Sequence, residues 1–313
     1  PYPVDIHACL TKDTAWWKSH RWNQPPGSQR VVYWRRANSL AVAVPTKSVR
    51  RNEKTVTTML LAITTPSGNR SALPLVTRTL PQAELFHRAI VGRVGNGRAV
   101  DCQELTGKDA NGKPLANGHQ HAHVIPLSLR DAGDGQRRID HILVHAPMGL
   151  SPAAQHAIQT LRRTWMKGGS GDLQVALAAS GDISILRSLS GALQESVQAL
   201  FPREGNGTEW VSATPFVPPR FLKKSGRNTL FGQINAELKC RQLPAAAVVE
   251  VLAEPTLDFR HFVVARRDAM QAPPVSFGMA LRIKLEQPLE THQVPLILGY
   301  GSHFGLGLFV SNS

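Results

Sequence analysis

The chain has 313 residues, 42% of them hydrophobic, and carries 36 Lys and Arg against 22 Asp and Glu for a formal charge of +14. That length suits one large domain or two ordinary ones, and so basic a chain most often meets nucleic acid or another anionic surface. The apolar runs are too short to span a bilayer and no signal peptide is evident; Cys9, Cys102 and Cys240 form no CxxC pair, so a thiolate zinc site is not expected and a reducing, cytoplasmic setting is.

The charge is concentrated at the front. Residues 1–100 hold 15 basic and 4 acidic residues, residues 101–200 hold 9 of each, and residues 201–313 hold 12 and 9. Residues 1–50 do not read as a closed domain. They begin Pro1-Tyr2-Pro3 without a methionine, and are expected to be the end of an upstream domain plus a linker. Trp16, Trp17, Trp22 and Trp34 lie here among basic residues and the turn Gln24-Pro25-Pro26-Gly27. Such rings stack on bases or, more commonly, bury against a neighbouring domain.

From residue 51 the pattern becomes regular. Thr57 to Thr65 is a strand candidate. Pro81 to Val94 fits a helix, with Pro81 in its first turn, Leu85, Phe86, Ala89 and Ile90 at helical spacing, and Gly95 after its end. A polar, glycine-rich loop follows over 105–118. His121 to Leu129 and Ile139 to Ala146 read as strands around the turn signal Asp134-Gly135. Ser151 and Pro152 start a helix expected to reach Trp165, and Leu173 to Ala179 is a further strand. The order β-α-β-β-α-β over 51–205 predicts a ferredoxin-like (RRM-like) domain.

The first hairpin holds the densest titratable cluster. His119, His121 and His123 alternate in one row, and alternate residues of a strand share a face. The opposite strand brings Asp140, His141 and His145. Three chemistries fit such a row: metal binding, structural hydrogen bonding to backbone, and proton transfer or phosphate contact. The turn Arg130-Asp131-Ala132-Gly133-Asp134-Gly135 lacks the further carboxylates and the closing Glu of a calcium loop.

Residues 206–313 repeat the architecture without repeating the sequence. Trp210 to Val217, Val248 to Leu252, Phe262 to Ala265, Met279 to Leu285 and Pro295 to Leu298 read as strands, and Thr229 to Arg241 as a helix. The fold class expected is therefore α+β, with tandem ferredoxin-like βαββαβ domains, the second having a degenerate second helix. The first of these strands contains Pro215 and ends at Pro218-Pro219, and then come Arg220, Lys223, Lys224 and Arg227, a candidate contact for a phosphate backbone.

Gly299-Tyr300-Gly301-Ser302-His303-Phe304-Gly305-Leu306-Gly307 sets four glycines around one imidazole. Glycine lets backbone amides approach a ligand, and successive amides can cradle an anion. A dinucleotide fingerprint would need a helix and then an acidic residue about 20 positions on. The six residues after Gly307 supply neither. Gly299, Gly301, Ser302, Gly305 and Gly307 are thus RNA-contact candidates, with a structural turn as the alternative.

RNA strand cleavage suits these groups. The 2′-hydroxyl attacks its own phosphate, so the site needs a base, an acid for the departing 5′-oxygen and positive charge, without a metal or other cofactor. Histidine serves either proton role near neutral pH.

The segments PPGSQRVVYWRR, HQHAHVIPLSL, IDHILVHAPMGL, WVSATPFVPPRFLKK and LGYGSHFGLGLF occur in that order over nearly the whole chain. In them the chain resembles the RAMP-superfamily CRISPR repeat-processing endoribonucleases. The likeness is closest to the fusion subunit of type I-G (I-U) systems, which joins a Cas five-like to a Cas six-like domain. The resemblance implies binding of CRISPR repeat RNA and its metal-independent cleavage to guide RNA, with 2′,3′-cyclic phosphate and 5′-hydroxyl ends. It also implies residence beside other subunits of the effector complex, and target DNA reached through that complex. His119, His121, His141 and His303 are the proton-transfer candidates. A non-catalytic guide-RNA-binding subunit, and a metal-dependent hydrolase using His119, His121 and Asp140, are the alternative expectations.

Overall fold

The computed structural model describes residues 5–23, 29, 31–34, 55–94, 102–116, 119–130, 135–165, 172–203, 207–253, 259–266 and 272–311. The turns expected at 24–27 and 131–134, and residues 35–54 of the expected linker, lie outside them. The chain divides into two units, residues 1–32 and 33–313.

The first unit holds α1 (Ile6–Leu10) and α2 (Thr14–Ser19). Asp5 and Asp13 cap them: the Asp13 carboxylate accepts from the Trp16 amide at 2.7 Å. Trp17 is buried and donates its indole N–H to the Lys12 carbonyl. Trp16 stacks on His20, with ring centroids 3.9 Å apart.

The second unit is α+β, with two antiparallel sheets. Its elements run β1 (Thr58–Thr64), α3 (Thr79–Val94), α4 (Gln103–Thr106), β2 (His123–Leu127), β3 (His141–His145), α5 (Pro152–Gln159), β4 (Arg163–Trp165), β5 (Asp172–Gly181) and α6 (Ala192–Gln198). Then come β6 (Glu209–Ser212), α7 (Leu230–Cys240), β7 (Ala246–Val251), β8 (Leu281–Leu285) and β9 (Phe309–Ser311). The first sheet has the order β2-β3-β1-β5-β4 and the second β7-β8-β6-β9. In both, the second and third strands of the set stand at one side and the first lies inside.

Burial explains why β1 reads as an unbroken apolar run: both faces of its sheet are covered. Met59, Leu61 and Ile63 point into a core with Phe86 and Ile90 of α3 and Ala157 and Ile158 of α5. Leu60, Ile125 and Leu143 point the other way, into a core with Trp210, Phe216, Ile234, Ile283 and Phe309. Each such side chain contributes about 1.5–3 kcal/mol on full burial. The second sheet is buried on one face only, so β8 alternates: Leu281, Ile283 and Leu285 are buried while Arg282 and Lys284 are exposed.

Several boundaries depart from the sequence pattern. The helix expected from Ser151 to Trp165 starts on its Ser151 cap and ends at Gln159. Thr160 turns its hydroxyl back to the His156 carbonyl, and Arg163–Trp165 becomes an edge strand paired with β5. Phe262 to Ala265 forms no strand; the Phe259–His261 turn precedes it, and the Val263 amide bonds to the Thr77 carbonyl. Trp210 to Val217 keeps regular pairing only to Ser212; Pro215 has no N–H to give, and Phe216 after it makes an isolated bridge with Met279. Pro295 to Leu298 likewise contributes only the bridge Ile297–Leu308. Among the described residues no α-helix lies between β8 and β9; two 3-10 turns, Thr291–Gln293 and Ser302–Phe304, stand there instead. No described helix is long and apolar enough to cross a membrane.

Candidate functional site

The glycine turn is not an open cradle. Gly299, Ser302, Gly305 and Gly307 are buried. The amides of Tyr300, Ser302, Phe304, Gly305, Leu306 and Gly307 donate to backbone carbonyls, and that of Gly299 to the Glu237 carboxylate at 3.1 Å. These N–H groups are spent inside the protein. The turn is a packing device: Gly305 has φ 82°, and a Cβ there would come within 2.8 Å of both Pro126 and Thr79. Glycine alone lets the turn seat against β2 and α3, and this seat delivers His303 to the row His119–His123.

His303 enters a stack. Its ring lies 3.8 Å from that of His121 at 11°, 4.1 Å from His123 at 22°, and 5.1 Å from His119 at 27°. The three row histidines do not meet through strand alternation as expected. Strand β2 begins only at His123, and His119 has a left-handed backbone, φ 64°. His121 lies across Gly107, where a Cβ would sit 2.5 Å from its Nε2. That bare glycine face makes room for the stack, and the Ala122 amide is tied to the Glu104 carbonyl at 2.7 Å.

Hydrogen bonding fixes the proton positions. His303 Nδ1 lies 3.1 Å from the Ala122 carbonyl, an acceptor only, so it carries the proton and donates. Its Nε2 is therefore the lone pair, and His119 Nδ1–H donates to it across 2.8 Å. His119 Nε2 is left as the basic nitrogen. His123 sits between two carbonyls, those of Ser302 at 3.2 Å and His119 at 3.1 Å, of which a neutral ring satisfies one.

Burial governs the charges. It pushes His123 down to about 3 despite the two carbonyls that favour its cation. It pushes His121 down to about 4, helped by the charges of His119 and His87. His303 is held well below the ordinary imidazole range by burial and by His123, His121 and His119. His119 is lowered by burial and then by the Arg241 guanidinium. The stack is neutral at pH 7.

Helix α7 supplies the cation. Arg241 bonds to Glu237, one turn earlier, at 2.8 Å and reaches the Ser302 hydroxyl at 3.3 Å. Three cavities adjoin the stack. One of about 360 Å³ is lined by His119, His123, His145 and Arg241; one of about 730 Å³ by His119, His121 and His303; one of about 390 Å³ by His121, His303 and Arg266. Gln120 and Gln242 line the first two beside His119.

Of the four proton-transfer candidates, His119, His121 and His303 come together and His141 does not. His141 lies four residues along β3 from His145, roughly 13 Å at strand rise. It bonds to Asp140 at 2.7 Å, its ring meets Trp34 edge-on, and its Nε2 is buried without a partner. Asp140 also accepts the amides of Leu129 and Arg130, at 2.9 Å each. Among the described residues, no group of three His, Cys, Asp or Glu side chains is arranged to hold a metal ion. Arg220, Lys223, Lys224 and Arg227 occupy an exposed loop, residues 220–227, before α7.

Sequence reading missed Glu237 and Arg241, which share one helix face at i,i+4 spacing, a signal present in the predicted helix. It also missed Gly107, whose role depends on a ring 14 positions away.

The chain matches no protein-family model, and a search of curated proteins finds no significant match.

Proposed function

We propose that this chain is an RNA-binding endoribonuclease of the RAMP type that processes CRISPR repeat RNA in the cytoplasm and stays with the effector complex. Tandem ferredoxin-like domains are supported by strand order. Relabelled within each set, both sheets run second, third, first, fourth, with an added edge strand in the first sheet and a lost second helix in the second. The observation that carries the activity is the bond of 2.8 Å between His119 and His303, with His303 donating onward to Ala122. It leaves His119 Nε2 as a free base at the wall shared by two cavities.

In this reading His119 takes the proton of the 2′-hydroxyl. The 2′-oxygen bonds to phosphorus as the bond to the 5′-oxygen breaks, and the leaving 5′-oxygen takes its proton from solvent water. Arg241, beside His119 on the smaller cavity, faces the charge that develops on the phosphate. His303 acts as a positioning residue that fixes the His119 tautomer.

One observation favours a second reading, a subunit that holds guide RNA without cutting it. Every imidazole of the stack is pushed below the ordinary range, so at pH 7 it offers a base but no cationic acid for the leaving oxygen. Incubation of the chain with end-labelled repeat RNA in EDTA separates the two. Products with 2′,3′-cyclic phosphate and 5′-hydroxyl ends support cleavage; intact RNA in a tight complex supports holding. His119→Ala is expected to slow cleavage by about 10²–10⁴-fold. A His119→Ala, His303→Ala variant that cuts at the normal rate refutes the site.

A further inference from the structure

We infer that the loop at residues 220–227, together with Phe231, is a preformed stacking platform for single-stranded RNA. Phe221 and Phe231 receive unpaired bases, while Arg220, Lys223, Lys224 and Arg227 follow the phosphates. This rests on the RNA-binding part of the reading above and is independent of cleavage.

Phe221 is 68% exposed, Phe231 48% and Leu222 37%. Phenylalanine left that open forgoes much of the 1.5–3 kcal/mol that burial gives, so the rings are poorly explained by the fold itself. All eight residues 220–227 are exposed. Between Glu209 and Glu237 the sequence has four cations and no Asp or Glu. Four cations in a stretch of sequence without a carboxylate favour a polyanion. Exposed rings beside them select one whose bases are unstacked, because a duplex offers no free base face. Aromatic rings interleaved with cations are the means by which proteins hold single strands.

The platform is rigid. Gln233, 2% exposed, clamps both ends of the loop. Its carboxamide oxygen accepts the Arg220 amide at 3.1 Å, and its nitrogen donates to the carbonyls of Arg220 and Asn228, each at 3.1 Å. The Lys223 amide adds a bond of 3.0 Å to the Asn228 carbonyl. The preceding residues, Thr214 to Pro218, are buried. The backbone that carries the rings is therefore held before binding, which spares the cost of ordering the loop. Helix α7 begins at this loop and ends beside Arg241. Its 11 residues rise roughly 16 Å at 1.5 Å per residue. A strand laid along α7 spans a few nucleotides between the stacked base and His119.

The test uses a fluorescent 2′-O-methyl oligonucleotide, which binds but offers no attacking hydroxyl, and reads anisotropy with the whole chain. Phe221→Ala and Phe231→Ala replace exposed side chains, and circular dichroism checks that the fold persists. Each is expected to weaken single-strand binding by roughly 5- to 150-fold and to leave binding of a paired duplex of equal length unchanged. Lys223→Gln with Lys224→Gln is expected to weaken both. Unchanged single-strand affinity in the double Phe variant, or an equal loss on duplex, overturns the platform. So does competition by polyglutamate as effective as RNA, which would assign the patch to an acidic protein. If the wild-type chain shows this binding pattern but leaves repeat RNA uncut, the ribonuclease reading fails and the platform stands.

Discussion

His145 is the simplest of the buried imidazoles, and its behaviour with pH follows directly. It is 4% exposed, its Nδ1 lies 2.9 Å from the Thr58 hydroxyl, and burial pushes it down to about 4. In the unfolded chain it titrates near 6.5. Between these values the unfolded state binds more protons, so stability rises with pH. The contribution is complete above about pH 6.5, is lost as pH falls toward 4, and amounts to about 3 kcal/mol. Urea midpoints measured from pH 7 to pH 4 are expected to drop, and His145→Gln, which keeps a partner for Thr58, to flatten that slope by the same amount. An unaltered slope in the variant contradicts a neutral, buried His145. That the histidines of the row lie together was legible in the sequence, but the backbone geometry by which they meet was not. A left-handed backbone at His119 and a bare face at Gly107 replace the strand geometry that alternation implies.

At the scale of elements, α7 ties the glycine turn to the rest of the sheet. Glu237 is 17% exposed at its side chain and Arg241 8%, and Glu237 accepts from both Arg241 and the Gly299 amide. Removing one partner of a buried pair strands the other. Glu237→Ala is expected to cost about 3 kcal/mol in urea denaturation, with Glu237→Gln costing less because it keeps an acceptor for Gly299. Equal losses in the two variants would show that the Gly299 bond is immaterial. Helices with local signals were read well: α3 by its proline and its apolar spacing, and α7 by Thr229, whose hydroxyl accepts the Gly232 amide. Short strands were not. Arg163–Trp165 and Phe309–Ser311 exist through pairing with distant partners, β5 and β6, that no local pattern displays. The glycines drew the eye as amide donors, yet their use is steric, a distinction visible only when Pro126 and Thr79 arrive against Gly305.

At the scale of the whole molecule, the two faces of the first sheet belong to different cores, so the two strand sets share apolar contacts rather than standing apart. The net charge of +14 belongs to the sequence as a whole. The basic excess was legible in the sequence, and so was the cluster Arg220, Lys223, Lys224 and Arg227; what the structure adds is that the whole loop 220–227 is exposed. Four phosphate contacts to a single strand correspond to a slope of about −3 in log K against log salt. Filter binding of single-stranded RNA between low and moderate salt is expected to give that slope, with Arg220→Gln shallower by somewhat under one unit. A flat profile rules out phosphate as the main contact.

His119 and His303 are 184 positions apart in the chain, and their bond closes that separation. A ribosome that has released everything up to β8 has made the base but not the residue that aims it. The chemistry proposed for this protein therefore waits until the glycine turn has emerged and docked against the row at His119.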